Sequence, residues 1–514
     1  MNVSLIVGWA TSAADLRRTL RSLQRQDVKG WELVVPRVAL KEPSEGTEAF
    51  PEDKRIRYVE LPGPLDDDAG ASLEAARRAA TGTLIGVLAA GDEIEPGGLA
   101  AALMLVEGDS EGGAAADLDL VYTDEQWPGQ GADGIATKPD WLPHYLQSYP
   151  YTGRLCLVRA EVAERAGGFR PGFPGAEEWD LALRVTELTD RIGHVPVVAV
   201  SRAAAPRQDD VAIASGLRAV QGRIDRSGRA GYAEQADVPR GVRLWWTVDE
   251  PPLVSVVVPT AGGRREIRGE PDVLLVERAV RSLLERTTYQ RWELVLVGGP
   301  PPQDLIPELL PALGDRVRHA PIDGPFNFST SVNEGARVSR GELLLLLNDD
   351  TEAIEPRWLE RMVSVALDPA VGAVGARLMF ENGTIQHVGV IFDNGMSPIH
   401  ALGSEVDDAG RFGSKVLDLD YPAVTGACLL TPASLFREVG GFCVDLPLNF
   451  NDIDYCLKVA ASGHAVVTAG FATLFHYESS TRGHATEPEE FTFLDRHWGL
   501  RRRLDQHVHY RSVL

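Results

Sequence analysis

The 514-residue sequence has no apolar run that approaches the roughly 20 residues a membrane-spanning helix needs. It also lacks the marks of a secretory leader, because MNVSLIVGWATSAADL has no basic start and no small-residue cleavage site. We read this opening as a first strand. The sequence therefore predicts a cytoplasmic protein whose membrane contact, if it has any, is peripheral at the inner face of the plasma membrane.

Cysteine and positive charge are both scarce. The four cysteines (Cys156, Cys428, Cys443 and Cys456) show no C-x-x-C spacing, which favours buried thiols in a reducing compartment over a disulfide framework. The 51 basic residues against 74 acidic ones give a net charge of −23, so we expect no nucleic-acid partner. An acidic chain that binds a polyanionic cofactor needs a metal ion or a local basic pocket.

What the sequence does contain is a long internal repeat. Apolar strands alternate with helices of ten to fifteen residues, a pattern typical of parallel α/β units. Glu250-Pro251-Pro252 disfavours regular structure before the second copy begins, which predicts domains at 1–248 and 249–514. The matching segments are 3–36 with 254–299, 73–88 with 333–347, and 166–185 with 439–459.

The stretch GELLLLLNDDTEAIEP places three polar residues directly after five leucines. Residues 343–347 are apolar on both faces, as in a central parallel strand covered by helices. Asn348, Asp349 and Asp350 then lie at the carboxyl edge of the sheet, where open α/β folds bind ligands. Alternatively, Asp350 or Thr351 caps a helix that starts near Pro356.

Five motifs follow one another in the second half: FNFSTSVNEGARVSRGELLLLLNDDTEAIEPRWLERM, VGAVGARLMFENGTIQHVGV, YPAVTGACLLTPASLFREVGGF, FNDIDYCLKV and FHYESSTRG. Together they resemble the inverting family-2 glycosyltransferases with the GT-A fold, specifically bacterial enzymes of O-antigen, rhamnan and other surface-polysaccharide assembly. The first half resembles the N-terminal domain of tandem versions. The resemblance implies an α/β fold with two tandem GT-A domains, Rossmann-like and built on mostly parallel sheets.

The resemblance also implies site residues and a cofactor. It predicts a divalent cation, Mg²⁺ or Mn²⁺, at Asp350 and His476, and a nucleotide diphosphate sugar as donor substrate. It makes Asp452 the general base, with Asp454 as the second catalytic candidate two residues on, where a helix turns the two side chains apart. The expected nucleotide-site residues are Pro259, Asn327, Asn333, Gly335, Asn348, Asp349 and Arg482.

Purely structural roles are the alternative for several of these residues. His476 could be a satisfied structural histidine, and Asp452 could simply favour a helix N-terminus. His476 and His484 match no familiar zinc spacing. Gly298 stands where the family usually has an acid that contacts the nucleotide base, which leaves the identity of the nucleotide open.

The first half departs further from the family pattern. Aligned on the glycine before the third strand, its metal-motif positions read Ala89-Ala90-Gly91, and Arg202 lies in the segment where the family has its terminal histidine. We expect this domain not to transfer sugar. A metal-independent transferase that uses Glu178 or Asp180 as base is the alternative.

The sequence therefore predicts a metal-dependent inverting glycosyltransferase that extends a cell-surface glycan or a lipid-linked acceptor through its C-terminal domain. The alternative from another class is a non-catalytic scaffold or sugar-nucleotide-binding subunit of a polysaccharide assembly complex. A nucleotidyltransferase is a weaker third interpretation, because only PTAGGRRE (259–266) resembles the glycine-rich basic loop it requires.

Overall fold

The computed structural model describes residues 2–8, 12–37, 52–61, 68–107, 117–128, 135–393, 397–400, 409–477 and 488–502. Arg482, His484 and most of the glycine-rich segment 108–119 lie outside these ranges. The chain divides into a first unit, Met1–Gly228 with Ala233–Leu244, and a second unit, Arg229–Tyr232 with Trp245–Leu514. The boundary between 248 and 249 stays a prediction.

The first part of the chain alternates strands and helices. Its described strands are β1 (Val3–Val7), β2 (Trp31–Arg37), β3 (Ile56–Glu60), β4 (Leu84–Leu88), β5 (Glu93–Ile94), β6 (Leu120–Gln126), β7 (Ile135–Ala136), β8 (Leu157–Arg159), β9 (Ile192–Ser201), β10 (Gly231–Gln235) and β11 (Val242–Trp246). Its described helices are α1 (Ala13–Gln24), α2 (Gly70–Ala79), α3 (Gly98–Glu107), α4 (Pro143–Ser148), α5 (Ala160–Arg165), α6 (Glu177–Val185) and α7 (Asp210–Ser227).

The second part repeats this alternation. Its described strands are β12 (Val254–Pro259), β13 (Arg264–Ile267), β14 (Glu270–Leu274), β15 (Trp292–Val297), β16 (Val317–Ala320), β17 (Leu343–Leu347), β18 (Thr351–Ala353), β19 (Val371–Met379), β20 (Ile385–His387), β21 (Val390–Asp393), β22 (Ser397–His400), β23 (Leu419–Asp420), β24 (Cys428–Pro432) and β25 (Ala465–His476). Its described helices are α8 (Leu275–Arg286), α9 (Pro302–Leu305), α10 (Leu310–Leu313), α11 (Phe328–Val338), α12 (Trp358–Ala366), α13 (Ala433–Glu438), α14 (Asn451–Ala461) and α15 (Pro488–Arg502).

The two large sheets have the same strand order. The first runs β3-β2-β1-β4-β8-β6-β9-β5, and the second runs β16-β15-β12-β17-β24-β19-β25-β18. In each sheet, the leading strands pair in parallel and the β8 or β24 strand pairs antiparallel with both neighbours. The predicted α/β class, with two similar Rossmann-like and mostly parallel sheets, is confirmed.

A buried serine–glutamate pair explains why both copies carry a W-E-L motif. Ser255 donates to Glu293 (2.7 Å), and the Gly341 amide donates to Ser255 (2.8 Å) at the turn into β17. In the first copy, Ser4 donates to Glu32 (2.6 Å), and the Gly82 amide donates to Ser4 (2.8 Å) just before β4. The pair satisfies polar backbone at the base of three neighbouring strands, which locks their register.

The five leucines of β17 serve two cores. Leu343, Leu345 and Leu347 join the cluster under α8 and α12. The other two leucines, at 344 and 346, join the cluster under α11 and α14. Because successive strand residues point to opposite faces, a strand sandwiched between helices must be apolar throughout.

The chain after Asp350 does not enter a helix directly. Thr351–Ala353 form β18, and α12 starts only at Trp358, with no side-chain cap at Arg357. The capping alternative for Asp350 and Thr351 is therefore wrong, as is the early helical position of Pro356. None of the helices in the described ranges is long and apolar enough to cross a bilayer.

Candidate active site

Asp350 and His476 meet at the carboxyl edge of the second sheet. Strand β18 pairs antiparallel with the end of β25, with Thr351 opposite His476. This pairing brings the His476 Nε2 atom to 3.2 Å from the Asp350 Oδ1 atom, and the Asp350 side chain is 4% exposed. The structure thus brings the two predicted metal ligands together.

Asn348 completes the polar end of β17. Its Nδ2 atom lies 3.4 Å from His476 Nε2. Its Oδ1 atom is buried, and no hydrogen-bond donor among the described residues reaches it. A buried carboxamide oxygen beside a carboxylate and an imidazole is a donor set that suits Mn²⁺ and, less well, Mg²⁺. The predicted cation therefore fits the side chains present.

The protein does not surround this position with ligands. Across the described ranges, no group of three or more histidine, cysteine, aspartate or glutamate side chains is arranged to hold a metal ion. A cation bound at Asp350 and His476 would therefore take further ligands from water and from substrate phosphates, which is how Mg²⁺ is commonly held beside a nucleotide.

Asp452 lies in the first turn of α14 and faces the loop before β24. Its Oδ2 atom accepts a hydrogen bond from the Gly426 amide (2.8 Å), and its Oδ1 atom accepts one from the Ile453 amide (2.8 Å). The same loop contacts the end of β17, because the Asn348 amide donates to the Ala427 carbonyl (3.0 Å). The predicted base is therefore held near the end of β17 by backbone groups.

Asp454 has a different environment. Its Oδ2 atom forms an ion pair with Lys458 (2.6 Å), and its Oδ1 atom accepts from the Trp498 indole (2.8 Å). The side chain is 3% exposed. These bonds join α14 to α15 and give Asp454 a structural role, so its catalytic role stays a prediction without geometric support.

The predicted nucleotide-site residues on α11 also have structural partners. Asn327 caps the helix by accepting from the Thr330 amide (2.8 Å), and Asn333 exchanges two hydrogen bonds with the Phe442 backbone (2.8 and 2.9 Å). A Cβ on Gly335 would lie 2.3 Å from a Val257 methyl group. Close helix–sheet contact therefore accounts for this glycine, and the nucleotide role of all three stays a prediction.

Pro259 and Asp349 lie at adjacent strand ends. Pro259 is the last residue of β12, and the next residue, Thr260, donates through its hydroxyl to Asp349 Oδ2 (2.7 Å). Asp349 therefore points across the sheet edge to the end of β12, while Asp350 points towards β25. A nucleotide role for this pair remains a prediction.

Three further polar residues at this site had no role assigned from the sequence. Gln386 Oε1 lies 2.7 Å from His476 Nδ1. His387 Nε2 accepts from the Thr425 amide (3.3 Å), and its Nδ1 lies 2.8 Å from His400 Nδ1. Burial, with repulsion from His400 and His476, holds the pKa of His387 well below its ordinary value, so this residue is neutral. In the sequence, the adjacent polar residues Gln386 and His387 in GTIQHVGV were the feature that could have pointed to this part of the site.

At the corresponding edge of the first sheet, an arginine pairs with two carboxylates. Arg154 Nη1 lies 2.8 Å from Glu178 Oε2, and its Nε lies 3.2 Å from Asp92 Oδ2. Strand register places Arg154 where the second unit has Ala427, and Glu178 aligns with Asp452 along the matching helices. A guanidinium thus pairs with the carboxylates at the edge where the second unit has its predicted cation ligands.

Comparison with known proteins finds a family model that matches part of the second unit. Residues 255–431 match the family model described as Glycosyl transferase family 2. Two curated relatives are each 33% identical to the chain, namely the uncharacterized protein y4gI of Sinorhizobium fredii (strain NBRC 101917 / NGR234) over 509 residues and the O-antigen biosynthesis protein RfbC of Myxococcus xanthus over 498. Each alignment covers 93% of this chain, but only 54% and 37% of the respective relatives.

Partial likenesses among solved structures include GalNAc-T7 with UDP, GalNAc and Mn²⁺, at 12% identity and a TM-score of 0.37 over 48% of each chain. They also include the mannosyltransferase PcManGT from Pyrobaculum calidifontis with GDP-Man and Mn²⁺, at 15% identity and a TM-score of 0.33 over 57% of this chain and 82% of that one. Residues 255–431, all within the second unit, are similar to glycosyl transferase family 2.

Proposed function

We propose that the second unit transfers a sugar from a nucleotide diphosphate donor to a growing cell-surface glycan or a lipid-linked acceptor, with inversion at the anomeric carbon. The observation that carries the proposal is the meeting of Asp350 with His476 at the sheet edge, beside a loop whose Gly426 amide binds Asp452. The likeness to an O-antigen biosynthesis protein supports the class of acceptor. A cytoplasmic location at the inner membrane face belongs to this proposal.

A bound divalent cation would neutralise charge on the diphosphate leaving group. Asp350 and His476 would hold it, and Asn348 would offer its amide oxygen. Asp452 would accept the proton of the acceptor hydroxyl as that oxygen forms the new glycosidic bond and the nucleotide diphosphate leaves from the opposite face. The Gly426 and Ile453 amides would keep the Asp452 carboxylate aimed at the acceptor.

We further propose that the first unit does not transfer sugar. Its supporting observation is the Arg154 guanidinium, which pairs with the carboxylates of Asp92 and Glu178. The scaffold alternative for the whole chain draws on Gly298, which stands where the family usually has a nucleotide-contacting acid. A scaffold would show neither turnover nor metal-dependent nucleotide binding.

The test is release of nucleotide diphosphate by the full chain with Mn²⁺ and a panel of rhamnose, galactose and glucose nucleotides. With the donor that reacts, Asp350→Ala and Asp452→Asn should lose at least about a hundredfold in kcat. Asp304→Ala, at an exposed acid of the same unit, should keep the wild-type rate. Full turnover by the first two variants would overturn the proposal.

A further inference from the structure

Gln386 contacts His476 through both the oxygen and the nitrogen of its side-chain amide. It lies in β20, which pairs antiparallel with β19, and it is 8% exposed. Its Oε1 atom is 2.7 Å from His476 Nδ1, and its Nε2 atom donates to the His476 backbone carbonyl at 3.4 Å. One side chain therefore contacts the ring and the main chain of the same histidine.

The second contact fixes the orientation of the amide. A backbone carbonyl only accepts hydrogen bonds, so the NH₂ end of Gln386 must face it. The oxygen end must then face His476 Nδ1, which leaves Nδ1 as the donor. Hydrogen bonding to one ring nitrogen determines which nitrogen of a histidine carries the proton. In the neutral ring, the lone pair of His476 is therefore on Nε2.

That lone pair faces the metal edge. Nε2 lies 3.2 Å from Asp350 Oδ1 and 3.4 Å from Asn348 Nδ2. An imidazole lone pair and a carboxylate oxygen at this distance repel each other unless a proton or a cation lies between them. The arrangement suits a bound cation, because ligating histidines characteristically donate their other N–H to an acceptor that orients the ring.

We propose that Gln386 is a positioning residue that holds His476 in the tautomer whose Nε2 can bind the divalent cation. The proposal rests on the metal-dependent function proposed above. It assigns a task to the Gln-His pair of GTIQHVGV, which neither the sequence motifs nor the family match explains. Gln386 touches no reacting group and acts only through His476.

The first test is Mn²⁺ binding by the full chain, with free Mn²⁺ measured by electron paramagnetic resonance in the presence and absence of UDP. Gln386→Met keeps the length of the side chain and removes both hydrogen bonds, so the dissociation constant should rise about 10- to 100-fold. Gln386→Glu still offers an oxygen to Nδ1 and should bind much more tightly than Gln386→Met. Gln303→Met, at an exposed glutamine of the same unit, should match the wild type.

The second test reads the tautomer directly in metal-free protein. Nitrogen-15 spectra of histidine-labelled chain, with His476 assigned by His476→Gln, should show Nδ1 protonated in the wild type. Gln386→Met should shift the ring towards protonated Nε2, with circular dichroism confirming that the variant is folded. An unchanged tautomer, or wild-type Mn²⁺ affinity in Gln386→Met, would overturn the proposal.

The outcomes separate this proposal from the one it rests on. If Asp350→Ala loses Mn²⁺ binding but Gln386→Met does not, the metal site stands and the role of Gln386 fails. If neither the wild type nor any variant binds Mn²⁺, the metal-dependent function fails. The tautomer spectra then decide alone whether Gln386 orients His476.

Discussion

Arg202 occupies in the first sheet the register position that His476 occupies in the second. Ser201 pairs with Glu93 just as Phe475 pairs with Glu352, and the next residue along is Arg202 in one copy and His476 in the other. Arg202 Nη1 lies 3.5 Å from Glu125 in a buried pair. Where the second unit has the imidazole of a predicted metal ligand, the first unit has a guanidinium that carries a positive charge.

A second arginine, Arg154, stands where the second unit has Ala427, and together the two arginines change what this edge of the sheet can bind. Guanidinium groups carry a permanent charge and donate hydrogen bonds only. They can pair with carboxylates but cannot ligate a metal ion. In the first unit, Asp92 and Glu178 already have such a partner in Arg154.

Removing the Arg154 charge should destabilise the first unit. Arg154→Met leaves Asp92, at 2% side-chain exposure, and Glu178 without their shared partner. Breaking a buried pair from one side costs about 3 kcal/mol. Urea unfolding of the full chain should show the loss in the first unit. Arg207→Met, which removes an exposed pair with Asp209, should change stability by less than about 1 kcal/mol. Equal stability of the two variants would contradict the prediction.

Substituting Asp452 should mainly lower activity, whereas substituting Asp454 should mainly lower stability. Asp452→Asn keeps the shape of the side chain but removes the base, so kcat should fall about 10²- to 10⁴-fold with little change in unfolding. Asp454→Asn removes the ion pair with Lys458 and should lower the free energy of unfolding by about 1–3 kcal/mol, with a smaller effect on kcat. Steady-state kinetics and thermal unfolding of both variants check this. The reverse pattern would move the base to Asp454.

Glu293 should make the free energy of unfolding of the second unit depend on pH in the acidic range. Burial works to raise the pKa of Glu293, but hydrogen bonds from Ser255 and Arg340 outweigh it and hold the pKa below the ordinary 4.5. The folded state therefore favours the ionised form. The resulting stability is present above pH 4.5 and is lost as the pH falls through the lower pKa of the folded state.

The matching experiment compares Glu293→Gln with Glu334→Gln, which alters a surface pair with Arg337. At pH 7, Glu293→Gln should be less stable by about 1–3 kcal/mol and Glu334→Gln nearly unchanged. The deficit of Glu293→Gln should shrink as the pH is lowered below 4.5, because the wild type then loses the same charge. Denaturant titrations at several pH values measure it, and a deficit that grows on acidification would show that the sign is wrong.

Gly335→Ala should distort the contact between α11 and the sheet. The new methyl group would lie 2.3 Å from a Val257 methyl carbon and 2.9 Å from one of Val297. Overpacking of this kind costs about 1–3 kcal/mol, which exceeds the gain in helix propensity. Thermal unfolding should show the loss, and Glu334→Ala on the same helix should not. A stabilised Gly335→Ala would mean that the helix can move away from the sheet.

Much of the fold follows from local pattern. Runs such as LLLLL at 343–347 must be buried on both faces, and a strand of that kind needs helices on both sides. Repetition of W-E-L, the helix stop and the next strand predicts two similar sheets, and both have the same strand order. The position of Asp350 at the end of β17 was readable for the same reason, because strand length and the change to polar residues are local properties.

The contacts of the site depend on pairings between distant segments. The helix signal around Pro356 concealed β18, whose pairing with β25 places Asp350 beside His476. The role of Gln386 depends on β20 returning along β19, which no periodicity in the segment reveals. Likewise, the sequence predicted that the first copy lacks the metal motif, but it did not reveal that Arg154 pairs with Asp92 and Glu178.

The sequence by itself determined the α/β class, the duplication and the polar strand end, because these depend on burial and periodicity within single elements. Only the tertiary structure decided which side chains meet at that strand end, because the strand order brings together residues far apart in the chain. Asp350 with His476, Gln386 with the same histidine, and Arg154 with Glu178 all belong to the second kind.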